Sequence, residues 1–106
     1  MAAPALELDF IVSRWQNAFF RELAVAFAEE LNDLGVVARV TETVREPRPG
    51  LAYALLPPHE YAWLTWGLLP RRVLQRTVFI CAEQPGTHWF DANVAIARLG
   101  GAVLDI

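Results

Sequence analysis

Apolar runs of strand length alternate along this chain with stretches in which apolar residues recur at helical spacing. Runs rich in β-branched and aromatic residues predict strands at residues 6–13, 36–44, 51–56, 77–82 and 102–106. The stretch between the first two runs predicts a long amphipathic helix that ends at Gly35. The apolar face of this helix comprises Phe20, Leu23, Ala24, Phe27, Leu31 and Leu34.

The second half of the chain predicts shorter helical segments between its strands. Residues 60–76 contain one or two helical turns, interrupted by Gly67 and Pro70. A further helix begins after Thr87 or Asp91 and ends at Gly100. The order β-α-β-β-α-β-α-β predicts one α/β domain, a three-layer sandwich of Rossmann or flavodoxin-like type with a mostly parallel five-stranded sheet. We expect residues 1–5 to form a flexible leader.

The proline-rich connection over residues 45–50 is short for a parallel crossover, which normally needs a dozen or more residues. A tight antiparallel hairpin is one solution. An extended crossover is the other, because six or seven residues reach about 20 Å. We favour the parallel solution, which gives the strand order 2-1-3-4-5 and a topological switch point between the first and third strands.

The composition is typical of a small domain whose sheet is buried on both faces, since 55% of the residues are hydrophobic. No run approaches the ~20 apolar residues of a membrane span, and the N-terminus has no signal-peptide pattern. We therefore expect a cytoplasmic protein without a transmembrane segment. The single cysteine, Cys81, lies in an apolar strand with no cation beside it, which favours a buried, unreactive thiol.

The charge pattern argues against a nucleic-acid partner. The formal net charge is −3, and all nine basic residues are arginine. Arg71, Arg72 and Arg76 form a basic cluster that is too small for a nucleic-acid footprint. A solvated face is the favoured interpretation of this cluster.

Two of the predicted strands end in polar loops, at residues 58–61 and 83–89, and residues 13–16 follow the first strand in the same way. Parallel strands present these ends at one edge of the sheet, where ligands bind in such folds. The chain has neither G-x-G-x-x-G nor G-x-x-x-x-G-K-[ST], and its histidines lack metal-ligand spacing. We therefore predict no cofactor and no metal.

The loop residues combine hydrogen-bonding groups with flat aromatic rings, a combination that suits a polyhydroxylated ligand. His59 and Glu83 are the plausible general bases. The predicted ligand-binding residues are Ser13, Arg14, Gln16, Glu60, Gln84, Thr87, His88 and Trp89. Structural roles for the same residues are the alternative. Glu60 or Thr87 would cap a helix, His59 would form hydrogen bonds that hold its own loop, and Trp89 would belong to the core.

Residues 55–61, 76–90 and 102–106 resemble the N-terminal half of bacterial glycosyltransferases of the two-domain GT-B type. In that family one strand ends in a Pro-His-Glu-like loop and the next in a Glu-Gln-Pro-like loop. The resemblance implies that this chain holds the acceptor, with His59, Glu60, Glu83 and Gln84 facing a cleft between domains. It also implies that a second half, supplied by another chain, binds the nucleotide-sugar, so we expect no transfer by this chain alone.

A non-catalytic module is the alternative function. It would bind a small polar ligand or a partner protein through the same edge. The apolar segment at residues 63–69 and the fifth strand would then form the interface, as in a homodimer.

Overall fold

The computed structural model describes residues 6–13, 18–56, 69–81 and 102–105. The strands are β1 (Glu7–Ile11), β2 (Val37–Thr41), β3 (Leu51–Leu55), β4 (Thr77–Cys81) and β5 (Ala102–Asp105), and the helices are α1 (Ala18–Asp33) and α2 (Arg71–Leu74). The four predicted segments at residues 6–13, 36–44, 51–56 and 77–82 thus each contain a strand of the sheet. The flexible leader and the helix expected between Thr87 and Gly100 lie outside the described residues.

The described strands form a parallel sheet in the order β2-β1-β3-β4. The backbone of β5 runs parallel to β4 at the far side of the sheet. This is a small α/β fold compatible with a Rossmann-like architecture. The prediction that β3 is parallel to β1 is confirmed, and so the hairpin alternative is excluded.

Helix α1 covers one face of the sheet with the apolar stripe that its sequence predicts. Ala24 and Ala28 are buried against the sheet, and the Phe27 ring stacks on Phe10 of β1 with a centroid separation of 6.2 Å. Leu34 is an exception, because it follows the last helical residue and is 79% exposed. Its assignment to the apolar face was wrong, since the turn that ends the helix directs the chain away from the stripe.

The opposite face of the sheet carries a second hydrophobic cluster. Tyr53, Leu55 and Phe79 from the strands pack there with Val73 and Leu74 of α2. Residues of β1 alternate between the two clusters, as the period of a strand requires. The expectation that both faces of the sheet are buried therefore holds for β1, β3 and β4, whereas one face of β2 is partly exposed.

The predicted second strand is shorter in the structure because a side-chain turn ends it. The Thr41 hydroxyl oxygen accepts a hydrogen bond from the Thr43 backbone N–H at 3.0 Å. This local bond competes with continued strand pairing. Strand β2 consequently ends at Thr41, and the chain enters the crossover to β3 earlier than the sequence pattern indicated.

An ion pair fixes the crossover to the sheet. Asp9 lies in the middle of β1 with no exposed surface. The Arg45 guanidinium donates from Nε at 2.7 Å and from Nη2 at 2.8 Å to the two carboxylate oxygens of Asp9. The Tyr53 hydroxyl donates to the Arg45 carbonyl at 2.6 Å. These bonds explain how so short a connection returns along β1 without regular secondary structure.

Candidate functional site

The carboxyl ends of β1 and β3 lie side by side, because Ile11 is in register with Leu55. The chain after β1 leads to α1 on one face of the sheet, whereas the chain after β3 leads to α2 on the other. The predicted topological switch point is therefore present between β1 and β3. In open α/β sheets this divergence creates the crevice in which ligands bind.

Ser13 is the predicted site residue that the structure describes, and it lies at this switch point. It follows β1 by two residues and is 8% exposed. Val12 and Leu56, which bracket the same edge, are buried. The Ser13 hydroxyl is thus a buried polar group beside two buried apolar side chains.

The other predicted site residues lie outside the described residues. Their placement at this edge remains a prediction, and so do their proposed roles. They are His59, Glu83, Arg14, Gln16, Glu60, Gln84, Thr87, His88 and Trp89.

Most ion pairs among the described residues lie around the middle and the amino ends of the strands. Glu7, at the start of β1, contacts both Arg45 and Arg48 of the crossover. Arg76 donates to the carbonyl oxygens of Arg48 and Leu51 at 2.9 and 3.2 Å. These contacts fix the strand starts and the crossover.

The same contacts bear on the predicted basic cluster. Arg76 is engaged with backbone carbonyls, and Arg72 pairs with Glu46 of the crossover at 2.9 Å. The Arg72–Glu46 pair is solvated, since its side chains are 60% and 81% exposed. For these two arginines the interpretation as a structural, solvated surface is the one that the contacts favour.

Electrostatic effects of the crossover reach three titratable groups. The hydrogen bond from Arg48 holds the pKa of the Glu7 carboxyl below its ordinary value. The hydrogen bond to Asp9 raises the pKa of Arg45, which therefore stays charged. Burial raises the pKa of the Tyr53 phenol, and the negative charge of Asp9 raises it further. None of these groups lies at the carboxyl edge.

An open groove of about 380 Å³ runs between the first turns of α1 and strand β2. It is lined by Ala18, Arg21, Glu22, Val25 and Val40. The groove lies on the outer side of β2, one strand away from the switch point. Within the described ranges, no cluster of histidine, cysteine and acidic side chains has the grouping needed to hold a metal ion.

Sequence reasoning missed the partnership of Asp9 and Arg45. The signal was present, because Asp9 is a charged residue inside the apolar run from Leu8 to Val12. A carboxylate in a strand that is covered on both faces must be paired with a cation. The identity of that cation was not readable, since the two residues are 36 positions apart.

Among the described residues, no helix is long and apolar enough to cross a membrane. Comparisons of the chain with protein-family models, with curated proteins and with solved structures found no match.

Proposed function

We propose that this chain is an acceptor-binding domain of glycosyltransferase-like type, which holds a polyhydroxylated small molecule at the carboxyl edge between β1 and β3. The observation that carries the proposal is the switch point itself. The parallel order β2-β1-β3-β4 makes the connections diverge beside Ser13. In the sequence, the polar and aromatic loop residues follow the carboxyl ends of β1, β3 and β4.

The proposed roles divide between one base and several hydrogen-bonding groups. His59 or Glu83 would accept the proton of the acceptor hydroxyl as that oxygen attacks the anomeric carbon of a nucleotide-sugar. The bond from that carbon to the phosphate oxygen would break, and the nucleoside diphosphate would leave with the electron pair. Ser13, Gln84 and Thr87 would bond the remaining hydroxyls, and the Trp89 ring would stack on an apolar face of the ligand. A second domain or chain would bind the nucleotide-sugar.

The proposal also includes parts of the fold that lie outside the described residues. The helix predicted between Thr87 and Gly100 would join α1 and α2 in covering the sheet. With β5 as its fifth strand, the domain would be a three-layer sandwich. Two covered faces are the arrangement that parallel sheets require.

Isothermal titration of the purified chain against candidate acceptors, nucleoside diphosphates and nucleotide-sugars tests the proposal. We expect saturable binding of a polyhydroxylated acceptor that weakens at least tenfold in Glu83→Ala and His59→Ala. Glu30→Ala is the matched control, because Glu30 is exposed on α1, away from the carboxyl edge. Far-UV circular dichroism establishes that each variant is folded.

Two results would count against the proposal. One is the absence of binding by a folded chain with all three ligand classes, which would favour the interaction module, especially if light scattering shows a dimer. The other is binding that the Glu83 and His59 variants retain at full strength, which would place the ligand away from the predicted edge.

A further inference from the structure

Strand β2 is the outermost strand on its side of the described sheet, so half of its backbone groups face away from β1. The Val37 N–H donates to the Leu6 carbonyl, and the Thr41 carbonyl accepts from Val12. Because the direction of these groups alternates along a strand, Ala38 and Val40 direct their N–H and C=O outward. An open row of this kind is a template for another strand.

The side chain of Asn32 occupies half of this row. Its Oδ1 accepts from the Ala38 N–H at 2.8 Å, and its Nδ2 donates to the Ala38 carbonyl at 3.1 Å. A carboxamide carries one acceptor and one donor group in the arrangement of a peptide unit. Asn32 therefore satisfies Ala38 as a neighbouring strand would.

The end of α1 is built so that Asn32 reaches β2. The Gly35 N–H donates to the Asn32 carbonyl, and the Val36 N–H donates to the Leu31 carbonyl. Gly35 has a φ of 91°, a conformation that suits glycine, and it reverses the chain within two residues of the helix. The reversal brings β2 back beside the last turn of α1.

The side chains around this edge would favour association if the edge were open. Val25 of α1 and Val37 of β2 are 43% and 46% exposed, and Val25 and Val40 line the groove between α1 and β2. Exposed apolar side chains along an unpaired strand are the usual conditions for edge-to-edge pairing. The pairing partner with matching chemistry is a second copy of β2.

We propose that Asn32 closes the β2 edge against antiparallel pairing with a second copy of this chain. In the symmetric register centred on Arg39, Ala38 of each copy would exchange hydrogen bonds with Val40 of the other. Asn32 holds the Ala38 groups that this register needs. The register also sets the Arg39 residues of the two copies opposite each other, which adds like-charge repulsion.

Amide hydrogen exchange of the wild-type chain tests whether Asn32 covers the Ala38 backbone at the β2 edge. Both amides face outward, yet we expect the Ala38 N–H to be at least tenfold more protected than the Val40 N–H, because only the former is bonded to Asn32. Equal exchange of the two amides would overturn the proposal.

The consequence for association is tested by Asn32→Ala in sedimentation equilibrium, with Glu30→Ala as the control on the same helix. We expect the folded Asn32→Ala chain to associate at least tenfold more tightly than the wild type, and the control to match the wild type. Adding Val37→Lys to Asn32→Ala should reverse the effect, since lysine on an edge opposes pairing. A folded Asn32→Ala chain that associates no more than the control would contradict the proposal.

Discussion

Replacing Arg45 with alanine tests whether the crossover ion pair holds the fold together. The substitution removes both hydrogen bonds to Asp9, at 2.7 and 2.8 Å, and leaves a fully buried carboxylate. The cation that remains near Asp9 in the described structure is Arg39, with its Nε at 3.4 Å and its side chain half-exposed. A longer, partly solvated contact compensates a buried charge poorly.

The expected cost follows from the burial of Asp9. Breaking a buried ion pair by removing one partner costs about 3–5 kcal/mol, because the other charge stays desolvated. Small domains have a total stability of about 5–15 kcal/mol. We therefore expect Arg45→Ala to lose a large share of the free energy of unfolding. With urea m-values of about 1–3 kcal/mol/M, the unfolding midpoint should fall by at least about 1 M.

Urea unfolding followed by tryptophan fluorescence measures this change. The control is Arg72→Ala, because the Arg72–Glu46 pair is exposed and should contribute no more than about 1 kcal/mol. The double variant Asp9→Leu with Arg45→Met removes both charges and should regain at least half of the loss. An Arg45→Ala chain within about 1 kcal/mol of the wild type would refute the reasoning.

Three further predictions concern single groups. The hydrogen bond from Arg48 lowers the pKa of Glu7 in the folded state. The ionised Glu7 should therefore stabilise the fold fully at pH values well above about 4.3, the usual glutamate pKa, and this stabilisation should be lost as the pH falls through the folded pKa. The melting-temperature difference between wild type and Glu7→Gln should thus vanish in strong acid, and a constant difference would contradict this. Tyr53→Phe removes the bond to the Arg45 carbonyl and should cost about 1 kcal/mol in urea unfolding below pH 10, the usual tyrosine pKa. Burial raises the folded pKa of Tyr53, so this stabilisation should be lost as the pH rises through that value, and absorbance titration of the variant should lack the tyrosine step with the raised pKa. Gly35→Ala should cost about 1 kcal/mol through backbone strain alone, since no atom lies within 4 Å of the added Cβ, and an unchanged melting temperature would exclude that strain.

Local sequence patterns were enough to predict the described strands, the long helix and much of their arrangement. Strand and helix positions follow from local periodicity, and Gly35 marks the end of α1 as predicted. The reach of an extended chain allowed a parallel β3, which the sequence favoured over a hairpin, and the structure decided between the two. The switch point, and with it the position of Ser13, follows from that direction. The remaining site residues stay predictions, because they lie outside the described residues.

Tertiary structure alone decided which distant groups meet. Asp9 pairs with Arg45, which is 36 positions away in the sequence, and the Asn32 side chain bonds the Ala38 backbone. No periodic pattern in the sequence predicts either contact, because each depends on where a turn or a crossover places one side chain. The exposure of Leu34 has the same cause, because the turn after α1 overrides the helical spacing. Local patterns thus determine which face of an element is apolar, whereas the path of the chain between elements determines how buried polar groups are satisfied.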